Sequence, residues 1–452
     1  MKSFKLIAAS ALAMTVAGSA FATNVQMTGS TAIRKALYSG IITTLTNEGA
    51  GSHVVRVVSC DPNFNNKTPD GAQQATFIND IGDSVQVCLS GSVGGIGYVV
   101  DSADLQVATS VVANGGDVTR AWIAVPATYA AAVAANWPTV TPAFAYGAGL
   151  TNNGAVGNLG LESSLPAFGT TGTPFSAPSS ASVCMSDSFQ NSSIYDSGDW
   201  GLTLTDIIEG TVTFEFCKGA QASNVPAASY GRLTNITAQN FQALANKGII
   251  DLYQITGNSA DTGIDVILVG RNDDSGTRLG VFAETGIGST ESSAKQYVPL
   301  DANGVDASQT SSLLSIKSWV IAPGTAGLSG YDSGAFVKQT LNDTIVAGAV
   351  SPNGRPFIEV AYVSAGDQGG TPLTYNGVAM SGANVIEGTY TLWTTEHLMY
   401  DPTPGMLSAA QLAFVNSLKT QITATVSNGN YVNIGGLNCS RVAAEGSTVL
   451  HN

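Results

Sequence analysis

Ile264-Asp-Val-Ile-Leu-Val269-Gly-Arg271-Asn-Asp273-Asp-Ser275-Gly276-Thr277 is the stretch that decides how this chain is read. Residues 264–269 are mostly β-branched or apolar, the composition of a strand. A charged turn follows, and Ser275-Gly276-Thr277 then opens a helix that carries Leu279 and Phe282. A hydroxyl at a helix start accepts one of the unpaired first-turn N–H groups. A strand running through a short turn into a helix is the repeating unit of α/β architecture.

The same figure recurs in both directions along the chain. Residues 24–28, Asn-Val-Gln-Met-Thr, predict a strand that leads through Gly29-Ser30-Thr31 into a helix. Ile33, Leu37, Ile41 and Leu45 recur every fourth residue and give that helix one apolar face. Val54, Val55, Val57 and Val58 predict a strand. Val85, Val87 and Leu89 alternate as another, ending at Ser90-Gly-Ser92-Val-Gly94-Gly95. Ser182-Val-Cys-Met185 runs into Ser186-Asp187. Thr237 is placed to cap a helix with Phe241 and Leu244 that stops at Gly248. Leu412, Val415 and Ile422 mark a further amphipathic helix after Ser408. No internal repeat is visible. Residues 140–180 are rich in Gly, Ser, Thr and Pro and read as a surface insertion, part of a longer stretch 98–180.

The chain has 452 residues, a length that fits two or three domains or one two-lobed protein. Apolar residues make up 44%, enough for a sizeable core, so whole-chain disorder is disfavoured. Charged residues are only 11%, against roughly 25% in an average domain. The formal net charge is −14 and no block of Lys or Arg occurs, which excludes a nucleic-acid binder. Three histidines, His53, His397 and His451, leave little room for a zinc site, and no metal or other cofactor is expected.

Lys2 and Lys5 precede an apolar run from Leu6 to Val16, and Ala20-Phe-Ala22 follows. That is the pattern of a secretory signal peptide cleaved after Ala22. The run is too short to span a bilayer, and Pro126 breaks the Ala-rich segment 121–137. The mature protein is expected to be periplasmic or secreted, with no membrane span. In an oxidising compartment the five cysteines admit one or two disulfides. Cys60–Cys88 and Cys184–Cys217 are the favoured pairs, with Cys439 free, although sequence does not fix the pairing.

Four strand ends thus finish in small hydroxylated residues beside a helix start: Thr28-Gly-Ser30-Thr31, Ser90 to Gly95, Ser186-Asp187 and Asp273 to Thr277. Each alone is ordinary capping. Converging, such termini would bind a tetrahedral oxyanion through N–H groups and hydroxyls, without lysine. In open α/β sheets ligands gather beyond the carboxyl ends of strands.

The order of these motifs resembles the periplasmic phosphate-binding proteins of ABC phosphate transporters, in the type II periplasmic-binding-protein superfamily. Arg271-Asn-Asp273-Asp-Ser275-Gly276-Thr277 matches that family's R-x-D-x-S-G-T phosphate motif. Ser186-Asp187 is similar to its S-D pair, Ser92-Val-Gly94-Gly95 to its S-x-G-G turn, and Gly29-Ser30-Thr31 to its opening turn. Leu233 to Gly248, Tyr375 to Val378 and Asn384 to Tyr390 resemble further family segments, so the landmarks spread over most of the chain. Asp274 and Ser188 stand where the family commonly has glycine and proline, and the stretch 98–180 is longer than the family needs.

The resemblance implies an α/β, two-lobed fold of mixed sheets flanked by helices, with the Gly/Ser/Thr-rich insertion. Lobe one would hold 23–205 and 358–452, and lobe two 206–357. It implies that Ser30, Thr31, Ser92, Ser275, Gly276 and Thr277 bind phosphate, with Arg271 as a further contact oriented by Asp273. Asp187 would accept the proton of the anion. An ionised carboxylate only accepts hydrogen bonds, so it would favour protonated phosphate over fully ionised sulfate. The implied partners are inorganic phosphate or a related oxyanion and an ABC permease.

The rival reading is a secreted structural, adhesive or filament-forming protein that reuses the fold and self-assembles, suggested by the low charge density and the insertion. An enzyme is not expected. Glu396-His397 has no G-x-S-x-G elbow or H-E-x-x-H beside it. Asp61-Pro-Asn63-Phe-Asn65 lacks the closing glutamate of a calcium loop and reads as a solvated turn. Tyr390, Trp393 and Tyr400 read as packing residues.

Overall fold

The computed structural model describes residues 23–49, 51–60, 72–89, 91–101, 106–108, 117–119, 122–137, 139–140, 175–176, 181–288, 294–307, 315–316, 318–321, 330–331, 333–425, 431–432 and 436–451. The expected signal peptide, the Asp61–Asn65 turn, Ser90 and most of the 140–180 insertion lie outside them.

Eleven segments carry the architecture as strands. They are β1 (Asn24–Gly29), β2 (Val55–Cys60), β3 (Gln74–Asn79), β4 (Ser84–Cys88), β5 (Val183–Ser186), β6 (Thr205–Lys218), β7 (Ile249–Asp251), β8 (Asp265–Val269), β9 (Phe357–Ser364), β10 (Thr371–Tyr375) and β11 (Trp393–Tyr400). The helices that matter here are α1 (Arg34–Thr46), α2 (Ser92–Asp101), α3 (Ala238–Lys247), α4 (Gly276–Glu284) and α5 (Ala409–Thr425). The fold is mixed α/β, a large mixed sheet flanked by helices.

That sheet has fourteen strands, ordered β7-β8-β9-β6-β11-β5-β1-β4-β3-β2 and then Thr139–Val140. β10 pairs with β6 off this path. β1 lies parallel to both β4 and β5, and β8 lies parallel to β9. Three parallel strands therefore end side by side at Gly29, Cys88 and Ser186, and the chain leaves each of them on the same edge.

β6 ties the two ends of the sheet together. Its first part, Thr205–Thr213, pairs with β11, and Phe214–Lys218 pairs with β9. A bulge at Glu209, between Ile208 and Gly210, shifts the register. A bulge adds an unpaired residue and sharpens the strand's twist.

The helices form where the pattern places them. Ile33, Leu37, Ile41 and Leu45 are fully buried, and α1 packs on α5 through them. Thr237 caps α3 in a reciprocal capping box with Asn240, and the helix ends at Gly248. Val54 is half exposed, so its strand begins at Val55. Tyr390 and Trp393 are core residues, and the Tyr390 hydroxyl donates to the Phe214 carbonyl at 2.6 Å. Among the described residues no helix is long and apolar enough to cross a membrane.

The expected disulfides do not form: all five cysteines are free and buried. The reason is register. Cys60 of β2 pairs with Gln74 of β3, and Gln74 pairs with Cys88 of β4, so a whole strand stands between the two. Two inter-strand steps are about 10 Å, beyond the ~7 Å that a disulfide tolerates between Cα atoms. Cys184 of β5 faces Met399 of β11, which faces Asp206 of β6 on its other side. Cys217 lies roughly 30 Å farther along β6.

Candidate functional site

Asp187 stands at the carboxyl end of β5 and is buried, with 1% of its surface exposed. The Ser92 hydroxyl, at the first residue of α2, donates to its Oδ1, and the Asp187 N–H donates back to Ser92 Oγ at 3.2 Å. The Thr277 hydroxyl, in the first turn of α4, donates to Oδ2 at 3.3 Å. Burial pushes the Asp187 carboxyl up from the usual range, while Ser92, the Arg271 guanidinium and Thr277 pull it back down. Three of the four strand ends separated in sequence thus meet on one acid.

Gly276 belongs to the same cluster by close approach. A Cβ there would lie 1.7 Å from Asp187 Oδ1, 2.6 Å from Ser188 Oγ and 2.7 Å from Ser92 Cβ. Only glycine lets the α4 backbone come this near the acid. Ser275 caps its own helix by accepting the Arg278 N–H at 3.2 Å. Gly29 holds the opening turn in the same way, since a Cβ at its φ of +111° would meet the Met185 carbonyl at 1.9 Å. Ser30 and Thr31 are buried just beyond it. The Ser30 N–H donates to the Met185 carbonyl at 2.8 Å, and its hydroxyl points to Glu396 at 3.5 Å.

Arg271 is buried, with its Nε donating to the Tyr331 carbonyl at 3.0 Å. Its backbone is clamped as well. The Arg271 N–H donates to the Tyr362 hydroxyl at 3.1 Å, and its carbonyl accepts from Arg278 at 3.1 Å and Gln296 at 3.0 Å. Asp273, expected to orient Arg271, is exposed on the turn. The Tyr331 carbonyl accepts from the guanidinium, while Asp273 faces solvent. The structure therefore gathers Ser92, Asp187, Arg271, Gly276 and Thr277, sets Ser30 and Thr31 at the edge of the cluster, uses Ser275 as a cap, and leaves Asp273 outside.

Across the site the Val93 and Gly94 N–H groups of α2 donate to the Asp274 carbonyl at 3.0 and 3.4 Å. A backbone oxygen from the β8–α4 turn thus occupies the α2 start.

Sequence reasoning gave no site role to three buried groups here, of which it had named Ser188 and Glu396. Ser188 Oγ has no hydrogen-bond partner among the described residues and lies beside Gly276. Glu396 and Glu209 are fully buried acids on neighbouring strands. A lone glutamate inside a strand of apolar and β-branched residues was the visible signal for Glu396. His397 beside it serves packing: it bonds Asp206 and the Thr395 hydroxyl, each at 2.7 Å, and its ring meets Phe189 edge-on.

No cluster of three or more His, Cys, Asp or Glu able to hold a metal ion occurs among the described residues. A separate cavity of about 330 Å³ opens between the end of β6 and β10, lined by Glu215, Lys218, Leu233, Gln368 and Met380 among others. Burial pushes the Glu215 carboxyl there up to about 7.

No family model matches the chain, and no curated protein matches its sequence. Solved structures do. A putative phosphate ABC transporter substrate-binding protein with bound phosphate from Clostridium perfringens is 10% identical, covering 91% of this chain and 100% of its own, with a TM-score of 0.42. An ABC-type phosphate transport receptor from Vibrio cholerae is 11% identical over 90% of this chain and 97% of its own, with a TM-score of 0.39. A possible phosphate-binding protein from Planctomyces limnophilus is 9% identical over 91% and 93%, with a TM-score of 0.36. At such identities and TM-scores these likenesses carry no functional argument.

Proposed function

We propose that this chain is an exported solute-binding protein that captures inorganic phosphate at the Asp187 cluster and delivers it to an ABC permease. One observation carries the reading: hydroxyls from two helix starts, Ser92 and Thr277, converge on one buried acid, with Gly276 and Arg271 beside it. The Gly276 and Thr277 N–H groups supply donors and a favourable helix dipole. Arg271 supplies the positive charge, the Ser92 and Thr277 hydroxyls hold the Asp187 carboxylate, and Ser30 supplies a further hydroxyl. Asp187 accepts the proton that phosphate carries and sulfate lacks. These roles need no covalent step, so the site binds rather than catalyses.

Binding is read as closure of two lobes about a hinge. We take one crossing to lie at Thr213–Phe214 within β6, because that strand changes partner there, and the other after Ser364, which pairs with Phe214 at the end of β9. Titration calorimetry of the mature, ligand-stripped protein tests the reading. Phosphate should bind, sulfate should not, and Asp187→Ala and Arg271→Ala should each abolish binding. Failure of the wild-type protein to bind either anion would sink it.

A further inference from the structure

Glu396 lies in β11 opposite Gly210, fully buried. Its Oε1 has no hydrogen-bond partner among the described residues. Among the described residues its Oε2 meets only the Ser30 hydroxyl, at 3.5 Å, longer than an ordinary O–H···O bond. Such a group demands an explanation. The titratable groups that face it are the carboxyls of Asp187 from the end of β5 and Glu209 from the bulge of β6, and the buried Cys184 thiol of β5, and none of them is a cation. Together with burial the two carboxyls raise its affinity for a proton, and the Ser30 hydroxyl alone opposes them. Arg271, the cation of the site, acts on Asp187, and His397 is engaged with Asp206 and Thr395.

The Ser30 hydroxyl has one proton to give. Its oxygen already accepts the Ala32 N–H at 3.2 Å. With Glu396 ionised, the Ser30 proton points to that carboxylate and cannot reach an anion. With Glu396 neutral, the acid donates to Ser30 Oγ, and the Ser30 proton is released toward the ligand. We propose that Glu396 is a positioning residue that turns the Ser30 hydroxyl into a donor for the bound anion only when Glu396 is protonated, so that capture is linked to uptake of a proton. The inference rests on the phosphate reading above. The proton comes from solvent to a Glu396 oxygen, and no covalent bond of the ligand is made or broken.

Linkage fixes the sign. A bound anion favours the neutral acid, so the Glu396 pKa is higher in the complex than in the free protein. Affinity then falls by up to tenfold per pH unit as pH rises between those two values, and is flat with respect to this group below both. The test is phosphate titration of the wild-type protein and Glu396→Gln from pH 6 to pH 10, in buffers of differing ionisation enthalpy. The Gln amide donates to Ser30 at every pH. The variant should therefore bind as the wild type does at the acid end, keep that affinity at alkaline pH, and take up fewer protons per phosphate bound. Ionisation of phosphate itself contributes equally to both proteins. Parallel profiles, whether superposed or uniformly offset, would overturn the inference. Ser30→Ala gives a second measurement should Glu396→Gln fail to fold, and it too should lose the extra proton uptake. Wild-type protein that binds no phosphate at any pH would instead overturn the reading on which this inference rests.

Discussion

The helices α2 and α4 begin alike, with Ser92-Val-Gly94 and Ser275-Gly276-Thr277, yet their first turns are put to different use. At α2 the Val93 and Gly94 N–H groups are taken by the Asp274 carbonyl. At α4, Ser275 accepts the Arg278 and Leu279 N–H groups through its hydroxyl and its carbonyl. The Gly276 and Thr277 N–H groups find no acceptor among the described residues. A serine and a glycine at a helix start therefore do not by themselves make an anion site. What decides is whether a neighbouring backbone oxygen reaches the donors first.

Substitutions can break or sharpen that contrast. The largest effect belongs to the acid on which both helices converge. Asp187→Asn should weaken phosphate binding at least about a hundredfold, because a buried amide N–H then faces anion donors, and calorimetry should show sulfate gaining relative to phosphate. Gly276→Ala comes next, since its Cβ would stand 1.7 Å from Asp187 Oδ1, against 3.1 Å from Asp274 Cγ for Gly94→Ala in the first turn of α2. We expect Gly276→Ala to lose binding and about 1–3 kcal/mol of stability in thermal unfolding, and Gly94→Ala to lose less of both.

Away from the site, Glu215 provides a pH comparison. Its carboxyl is raised to about 7 by burial, so the folded state holds its proton where the unfolded chain has released it. Stability from this group is therefore lost as pH rises from about 4.5 to about 7. Glu215→Gln should remove a stability change of about 3 kcal/mol across that window in denaturant melts. Arg271→Lys should cost about tenfold in phosphate affinity, since an ammonium cannot keep both the Tyr331 carbonyl and the anion in the guanidinium geometry. Asp273→Ala should change affinity and stability by less than about 0.5 kcal/mol, and a larger loss would restore it as the partner of Arg271.

Much of the fold was legible because its signals are local. The four-residue spacing of Ile33, Leu37, Ile41 and Leu45 marks a buried face wherever the helix packs, and Thr237 needs only Asn240 to cap its helix. The strand–turn–helix of 264–284 reads without knowledge of its neighbours. The convergence of Ser92, Thr277 and Asp187 was legible only as an order of motifs. What escaped depends on which strands lie side by side. Glu396 meets Ser30 across 366 residues of chain because β11 is threaded between β5 and β6. The failed cysteine pairings have the same origin, since loop length says nothing about an intervening strand. Asp273 misled for a different reason. Its role was implied by the family motif it shares with Arg271, and the turn that carries both buries one residue and exposes the other.

The continuous run of β6 through both ends of the sheet constrains how the molecule can move. A swing about a loop would leave the strands on either side untouched, whereas a crossing made inside a strand transmits torque along its backbone. Any torsion carried by β6 would run through the bulge at Glu209, where the ladder with β11 already shifts register and the strand's twist is sharpened. That residue faces Glu396 in the acid group behind the anion site. The register shift of the longest strand and a member of the buried acid group around Glu396 therefore share a single position in the chain.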